Sequence, residues 1–319
     1  MGGVVDCRFA RAISAALFIA LLSLLSWLPP ASADDRNCTD GERAGADKLL
    51  FLNARDQKSS VEKHLPWGAP KSRSTAANKV LLVHWDYVIQ YDEDHRVPLW
   101  TAYRLDARGL NRTPDRVNCF RQDPRVDSPK ASLPGDYDEP QFDQGHLAPS
   151  EDMSHNLNQN INSFIMSNMA PQYENFNRVI WKRLETQIRT WAKTRRTVYV
   201  ISGSVFDHDL DAKPDPASAA KRMKSRSGSK RVAIPSHFYK IVLYKCRDGS
   251  VEALTFMLPH DKASHTGAAG QKYLEKHITS IAKIDAVTGW QFLSTLPVAG
   301  KFDGTHAHAF WQPKSTCDG

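Results

Sequence analysis

The order of the predicted strands and helices is the feature that most constrains the fold of this chain. Short runs rich in β-branched and aromatic residues predict strands, and apolar residues spaced by three and four predict helices. These elements do not alternate regularly, which argues against a parallel sheet built from repeated strand–helix–strand units. We therefore predict an α+β fold with a mixed, largely antiparallel sheet flanked by helices. The predicted strands cover residues 80–91, 97–105, 197–205, 237–246 and 251–258, and the predicted helices cover residues 44–53, 177–193 and 270–284.

Two of these elements have clear local patterns. The first two strands flank the acidic turn Asp92-Glu93-Asp94, which predicts a hairpin rather than a metal site, because adjacent carboxylates in a turn are usually solvated. The helix over 177–193 repeats apolar side chains at spacings of four, four and three, which predicts that one face is buried. The residues on this face are Ile180, Leu184, Ile188 and Trp191.

The N-terminus has the three-part pattern of an export signal. A basic start and an apolar run over residues 12–28 precede two prolines and the small residues Ala31-Ser32-Ala33. An uncleaved membrane anchor is the alternative, because the run is close to the shortest that spans a bilayer. Cleavage near Ala33 would export the chain to the periplasm or the extracellular space. We predict a signal peptide over 1–33, an N-terminal arm over 34–75 and one large domain over 76–319.

Cysteine usage agrees with export. Loss of the signal would remove Cys7 and leave an even number of widely spaced cysteines, which predicts two disulfides and excludes a zinc site of closely spaced cysteines. Among the three connectivities we favour a bridge between Cys38 and Cys317, because these residues lie near the two ends. The four remaining cysteines are Cys38, Cys119, Cys246 and Cys317.

The charge of the chain is compatible with a polyanionic partner. The formal net charge is +7, which suits phosphate contacts but does not identify nucleic acid as the partner. Many basic residues lie in a loop over 211–231. This loop either contacts nucleic acid or is a solvated connection between two strands.

Residues with catalytic chemistry are concentrated between positions 142 and 185. This segment begins with Asp143-Gln144-Gly145-His146 and continues through Ser167-Asn168-Met169-Ala170-Pro171-Gln172. It ends on the predicted helix, which carries Asn177 and Glu185. A histidine, two carboxamides and a carboxylate in one short span can supply a proton acceptor, a metal contact and acceptors that orient water.

These motifs resemble those of the DNA/RNA non-specific endonucleases, which have a ββα-metal (His-Me finger) active-site motif. The family's Asp-Arg-Gly-His corresponds to residues 143–146, and its Ser-Asn-x-x-Pro-Gln corresponds to residues 167–172. Its asparagine followed eight residues later by glutamate corresponds to Asn177 and Glu185. The resemblance covers residues 80–259 and implies a metal-dependent endonuclease that hydrolyses phosphodiester bonds in DNA and RNA with little sequence specificity.

The resemblance also implies a role for each motif residue. His146 is the general base for the attacking water, and Asn177 offers its carbonyl oxygen to a divalent cation. Mg²⁺ suits a single neutral ligand because it keeps several waters, and Mn²⁺ or another divalent cation is the alternative. In an α-helix Glu185 would lie about 12 Å along and about 80° around from Asn177, so we expect it to orient water at the metal rather than bind the metal. Asn168 fixes either the histidine strand or the water network.

Gln144 is the position where this chain departs from the family, which has arginine there. Without that charge, either another arginine stabilises the phosphate or activity falls by a factor of about 10² or more. The candidates are Arg116 and Arg121 in the upstream loop. The alternative function is a nuclease-like protein that binds nucleic acid with weak or no catalysis. A homodimer is compatible with the sequence and is not implied by it.

Two other hydrolase classes have little support. His306 and His308 have a spacing seen in zinc sites, but the sequence near them offers no matching third ligand. The chain also lacks a Gly-x-Ser-x-Gly segment, which argues against a serine hydrolase of the nucleophile-elbow type.

Overall fold

The computed structural model describes residues 1–2, 36–74, 78–111, 116–224 and 232–296. The predicted signal peptide, His306, His308 and Cys317 lie outside these ranges. The described residues from Arg36 onward, including those of the predicted N-terminal arm, belong to one compact unit. Within the described ranges, no helix is long and apolar enough to cross a membrane.

Strands and helices are distributed along the whole described chain. The strands are β1 (Arg36–Asn37), β2 (Lys71–Ser72), β3 (Lys79–Val83), β4 (Val88–Asp92), β5 (Val97–Asp106), β6 (Val117–Asn118), β7 (Phe142–His146), β8 (Met169–Tyr173), β9 (Thr197–Val205), β10 (His237–Lys245), β11 (Val251–Pro259), β12 (Ile278–Thr279) and β13 (Trp290–Gln291). The α-helices are α1 (Asp40–Lys48), α2 (Ala54–His64), α3 (Leu157–Ser163), α4 (Lys182–Arg195), α5 (Gly267–Lys276) and α6 (Ile281–Thr288), and a π-helix covers Phe176–Trp181.

A seven-stranded sheet forms the centre of the fold. Its strand order is β12-β11-β10-β9-β5-β4-β3, and every neighbouring pair is antiparallel. Strands β7 and β8 form a separate antiparallel pair, and β1 pairs in parallel with β6. The predicted α+β class, with a largely antiparallel sheet flanked by helices, is confirmed.

The central sheet separates two hydrophobic cores because successive side chains of a strand point to opposite faces. On β5, Tyr103 and Leu105 belong to the core that contains helix α4, whereas Trp100 and Ala102 belong to the core that contains α6. Full burial of one such side chain contributes about 1.5–3 kcal/mol. The motif residues lie in the layer on the α4 side.

For the helix predicted over 177–193, the apolar face was predicted correctly. Ile180, Leu184, Ile188 and Trp191 are all buried, and they pack in the core on the α4 side. The hairpin around Asp92 is also confirmed, because Arg96 N–H donates to Asp92 O (2.7 Å) between β4 and β5.

Three predicted elements were wrong in extent. Residues 80–91 form two strands, β3 and β4, because a tight turn closes with His84 N–H donating to Tyr87 O (2.9 Å). The helix predicted over 44–53 is α1, which begins at Asp40 because Thr39 and Glu42 form a capping box. The helix predicted over 270–284 is interrupted by β12, which pairs with β11, and Ser280 then caps the start of α6.

The favoured pairing of Cys38 with Cys317 is wrong. Cys38 forms a disulfide with Cys119. The reason is the parallel pairing of β1 with β6, in which Asn37 lies opposite Asn118, so the two following cysteines are adjacent. Cys246 is also disulfide-bonded.

Candidate active site

Strands β7 and β8 and the helix that follows them bring the three sequence motifs together. In the β7–β8 register, His146 lies opposite Met169 and Gly145 lies opposite Ala170. The π-helix and α4 follow β8 almost directly, which gives the predicted ββα order. A β-carbon at Gly145 would overlap the side chain of Gln172, so glycine is required where this buried side chain crosses the strand.

His146 lies at the end of β7 in an aromatic environment. Its ring packs edge-on against Phe164, with 4.8 Å between ring centroids, and its backbone oxygen accepts a hydrogen bond from Trp181 Nε1 (3.2 Å). The Nε2 atom is buried and has no hydrogen-bond partner among the residues that the structure describes. Burial, together with the positive charge of Arg116, lowers the pKa of His146 to about 3. The ring is therefore neutral near pH 7.

Asp143 fixes the orientation of the Asn177 side chain. Asn177 Nδ2 donates to Asp143 Oδ2 (2.9 Å), and Arg178 donates two hydrogen bonds to the same carboxylate through Nε (2.9 Å) and Nη2 (2.7 Å). With its amide nitrogen held in this way, Asn177 keeps its carbonyl oxygen without a hydrogen bond inside the described part of the chain. A neutral carbonyl oxygen is a suitable ligand for a hard divalent cation.

The first turn of the predicted helix is a π-helix, so the prediction of an uninterrupted α-helix over 177–193 was wrong there. Lys182 N–H donates to Asn177 O, five residues back, and also to Val179 O. A residue in a π-helix advances by a smaller angle than in an α-helix. The projected angle between Asn177 and Glu185 is therefore smaller than the expected value of about 80°. The π-helix brings these two side chains closer to one face.

Glu185 is a buried carboxylate that lies beside a buried lysine. Its Oε1 atom has no hydrogen-bond partner within the described ranges, and Lys240 Nζ is 3.9 Å away, which is an ion-pair distance and too long for a hydrogen bond. Burial raises the pKa of Glu185 to about 7 and lowers that of Lys240 to about 8. The positive charge of Lys240 lowers the pKa of Glu185 and the negative charge of Glu185 raises the pKa of Lys240, so each partly opposes the effect of burial.

Lys240 was not recognised as a site residue from the sequence. It lies in the middle of β10, on the same face as Phe238 and Val242, and its side chain is fully buried. Its Nζ atom donates to Ser202 Oγ (2.8 Å) and lies 4.1 Å from the centre of the Trp181 ring. A lysine at an inward position of an apolar strand was the pattern that could have identified it.

A second network of polar side chains lies beside Glu185 on α4. Arg189, one turn later, donates to Asp152 Oδ1 (3.0 Å) and forms an ion pair with Glu151 (2.6 Å). Tyr103 OH donates to Asp152 Oδ2 (2.9 Å). These bonds connect α4 to the central sheet one turn after Glu185.

Asn168 is fully buried directly behind the histidine strand. Its Oδ1 accepts from Ala148 N–H (3.0 Å), and its Nδ2 donates to Ala148 O (2.9 Å) and Ser163 O (2.8 Å). The amide thus fixes the chain two residues after His146. This geometry favours the first of the two predicted roles, support of the histidine strand, and both amide donors are engaged by protein carbonyls.

The two candidate arginines have different environments. Arg116 is exposed, its guanidinium lies 5.2 Å from the centre of the Phe164 ring, and its charge acts on His146. Arg121 is buried and donates to Asp47, to the backbone oxygens of 119 and 161, and to Asn162. Arg121 therefore holds α1 against α3, and the structure does not place it in contact with His146.

Gln144 occupies the position of the family's arginine and lies opposite Pro171 in the β7–β8 pair. Its Nε2 donates weakly to Pro134 O (3.3 Å). The side chain is half-buried and carries no charge. Of the three predicted substrate-binding residues, only Arg116 places a positive charge where it acts on His146.

A groove lies beside the π-helix and the start of α4. Its volume is about 480 Å³, and its lining includes Arg178, Lys182 and Arg183 on one side and His265 on the other. Three positively charged side chains along one wall suit an extended polyanion.

Comparisons with known proteins agree with this geometry. A family model for DNA/RNA non-specific endonucleases matches residues 69–299. Human mitochondrial endonuclease G is 29% identical over 211 residues, which cover 66% of this chain and 68% of that protein. Among solved structures, a chain of the crystal structure of the EndoG/EndoGI complex matches with a TM-score of 0.62 and 25% identity, covering 74% of this chain and 92% of that chain.

A second group of relatives is much longer. Human ectonucleotide pyrophosphatase/phosphodiesterase family member 1 is 28% identical over 264 residues, which cover 76% of this chain. The chain spans only 28% of that protein's length.

Proposed function

This chain belongs to the DNA/RNA non-specific endonuclease family, and from that premise we propose that it is an exported, metal-dependent endonuclease. Its substrates are DNA and RNA, cut with little sequence preference. The observation that carries the proposal is that three polar atoms of one ββα unit have no hydrogen-bond partner among the residues that the structure describes: His146 Nε2, Asn177 Oδ1 and Glu185 Oε1. Buried polar atoms such as His146 Nε2 and Glu185 Oε1 are normally paired, so their lack of a partner indicates a role in binding or catalysis.

The donor set suits a divalent cation. Asn177 would hold it through its carbonyl oxygen, with Mg²⁺ preferred because one neutral ligand leaves room for the waters that this ion retains. Mn²⁺ or another divalent cation would use the same donors. When bound, the cation supplies positive charge to a phosphate oxygen and to the leaving 3′ oxygen. Asp143 maintains this arrangement, because it accepts from the Asn177 amide nitrogen and so turns the carbonyl oxygen outward.

His146 acts as the general base. Its neutral ring takes a proton from the attacking water at Nε2, which has no hydrogen-bond partner among the described residues. Asn168 and the Trp181 indole hold the strand end on which His146 lies. Glu185 accepts a hydrogen bond from water in the site and orients it, and Lys240 favours the ionised carboxylate that this task requires.

Arg116 replaces the family's missing arginine charge. It is the candidate that lies beside the His146 ring environment, whereas Arg121 is engaged in holding α1. Phosphate contacts by Arg116 and the basic groove do not read bases, so sequence preference is slight. Disulfide-bonded cysteines agree with export to an oxidising compartment.

The alternative is a nuclease-like binding protein whose turnover is weak because of Gln144. Incubation of the purified chain with circular plasmid separates the two functions. We expect nicked and then linear plasmid with MgCl₂, and intact circles with chelator. Intact circles at every divalent cation tested, together with plasmid binding in a gel-shift titration, would favour the binding protein.

A control variant makes this assay specific to the site. His155→Ala removes a partly exposed histidine that pairs with Asp86 and lies outside the ββα unit. It should cleave like the unmodified chain. A loss of plasmid cleavage in the His155→Ala variant would mean that the assay reports protein stability rather than catalysis.

A further inference from the structure

A second cavity has walls from segments that are far apart in the chain. Its volume is about 320 Å³, and its lining includes the end of α2, the turn between β3 and β4, the end of β5 and residues 152–155. This volume is at the lower end of the range of about 300–1,000 Å³ for small-molecule sites. These segments lie outside β7, β8 and the helix that follows them, which carry the proposed nuclease site.

The wall of this cavity contains a buried carboxylate that accepts no hydrogen bond from the described residues. The Asp86 side chain is 7% exposed, and His155 Nε2 lies 3.6 Å from its Oδ1. That distance is an ion-pair distance and is too long for a hydrogen bond. Burial raises the pKa of Asp86 to about 7, and the positive charge of Lys63 opposes this effect in part. A buried carboxylate without donors is costly, so Asp86 indicates a ligand that supplies them.

The turn that carries Asp86 is fixed by the last residues of α2. Lys63 Nζ donates to Trp85 O (3.1 Å), and His64 Nε2 donates to the same oxygen (2.9 Å). His64 Nδ1 accepts from Arg104 N–H (2.9 Å), which leaves the ring proton on Nε2. The neighbour of Asp86 in the chain is therefore bonded to α2, and α2 is bonded to β5. These bonds hold the Asp86 carboxylate in the cavity wall.

The cavity wall also carries positive charge. Its charged residues include Lys63, Arg104 and Arg108 together with Asp106 and Asp152. Arg104 Nη2 donates to Asp106 Oδ1 (2.9 Å), and Asp152 already accepts hydrogen bonds from β5 and α4. Neither carboxylate therefore offsets the charge of Arg108. Arginine side chains in this arrangement suit the anionic group of a ligand.

The same cavity has apolar surface. Leu105 and Met153 line it, and each is 2% exposed, so both are held in place by the core around them. A methionine side chain packs favourably against an aromatic ring through its sulfur. The cavity thus offers an acceptor for N–H groups, an apolar wall for a ring and arginines for an anion.

The geometry points to a binding site for a guanine nucleotide in this cavity, with the base edge at Asp86 and the phosphate toward Arg104 and Arg108. Guanine presents two adjacent N–H donors on one edge, and a carboxylate can accept two such bonds at once. The choice of a nucleotide rests on the proposed function, because hydrolysis with a leaving 3′ oxygen releases 5′-phosphorylated products. The ligand is therefore a 5′-mononucleotide, bound apart from the site that cleaves the strand.

The test is isothermal titration of the full chain with 5′-GMP, 5′-IMP, 5′-AMP and inorganic phosphate. It is done in chelator, which keeps divalent cations from the proposed nuclease site, and at about pH 8, where Asp86 is ionised. One 5′-GMP should bind per chain. 5′-IMP lacks the amino donor of guanine and should bind at least about tenfold more weakly, the loss expected for one hydrogen bond to a charged group. 5′-AMP and inorganic phosphate should also bind more weakly than 5′-GMP.

Two variants separate the contact with the base from the contact with the phosphate. Asp86→Asn keeps the shape of the side chain and removes its charge, so it should weaken the binding of 5′-GMP and of guanosine by at least about tenfold. Arg108→Ala should weaken 5′-GMP binding by about twofold to fivefold, as for an exposed ion pair, and should leave guanosine binding unchanged. Thermal unfolding shows whether each variant folds. The series of nucleotides on the unmodified chain tests the proposal even if Asp86→Asn does not fold.

The matched control is Asp285→Asn. The Asp285 side chain on α6 is 13% exposed, and burial raises its pKa to about 6, so it resembles Asp86 but lies in another part of the fold. This variant should bind 5′-GMP like the unmodified chain. Lys182→Ala, in the groove beside α4, should also leave 5′-GMP affinity unchanged, and a loss there would place the nucleotide in that groove and overturn the proposal.

Three other results would also overturn the proposal. They are the absence of 5′-GMP binding, inorganic phosphate binding as tightly as 5′-GMP, and a folded Asp86→Asn variant with unchanged 5′-GMP affinity. Plasmid cleavage by the unmodified chain in MgCl₂ is a separate readout. Cleavage without 5′-GMP binding would leave the proposed nuclease function untouched, whereas 5′-GMP binding without cleavage would support the cavity and contradict the nuclease function.

Discussion

The burial of Glu185 makes the stability of the metal-free protein depend on pH. Burial raises the pKa of this carboxyl from 4.5 to about 7, so the folded state holds the proton more tightly than the unfolded chain. The resulting stabilisation is fully present below pH 4.5 and is lost as the pH rises through about 7. The shift corresponds to about 3 kcal/mol as an upper limit, at 1.36 kcal/mol per pKa unit.

Glu185→Gln removes this titration while keeping the shape of the side chain. In chelator, the free energy of unfolding of the variant should rise relative to that of the unmodified chain by about 2–3 kcal/mol between pH 4.5 and 7. Lys240 does not reverse this predicted rise in the free energy of unfolding, because its pKa of about 8 keeps it charged between pH 4.5 and 7. In the variant, loss of the Glu185 charge would lower the pKa of Lys240 further, which acts in the same direction.

The measurement is urea unfolding of both proteins at several pH values in chelator. Glu62→Gln is the matched control, because the Glu62 side chain is 68% exposed on helix α2, and its effect should be small and equal at each pH. A difference between Glu185→Gln and the unmodified chain that stays constant with pH would refute the burial argument.

Three further predictions concern the other site residues. Arg116→Ala should lower kcat by about 10², because it removes charge that stabilises the transition state, whereas Arg121→Ala should mainly lower the Tm; equal kcat losses would contradict the assignment. Gln144→Arg should make the kcat loss of Arg116→Ala smaller, because the new guanidinium supplies the same charge, and an undiminished loss measured on one DNA substrate would exclude this compensation. Asn177→Ala should raise the Mg²⁺ concentration needed for half-maximal cleavage, and an unchanged magnesium titration would remove Asn177 as the metal ligand.

Much of the fold followed from local patterns. The apolar face of Ile180, Leu184 and Ile188 was visible because helical periodicity depends only on neighbouring residues. Strands β9, β10 and β11 were predicted within one residue at each end, because apolar and β-branched residues dominate them. The family motifs located the candidate site, since they preserve the spacing of the ββα unit.

Other features depend on contacts that local patterns do not contain. The Cys38–Cys119 disulfide follows from a parallel pairing between strands 81 residues apart, and no rule of spacing predicts it. The π-helix at Asn177 is one extra residue in a turn, which leaves the apolar repeat almost unchanged. Lys240 is a site residue because the packing of β10 against α4 brings its ammonium group near Glu185, and this contact between distant segments is not visible in the sequence.

The most direct test of the proposed mechanism is single-turnover plasmid cleavage by His146→Ala in MgCl₂, with and without added imidazole. Removal of a general base should lower the rate by about 10²–10⁴, and imidazole should restore part of it because its neutral form supplies the missing proton acceptor. Thermal unfolding and a gel-shift titration should show that the variant folds and binds plasmid. A folded His146→Ala variant that cleaves plasmid at nearly the original rate would contradict the role of His146 as the base.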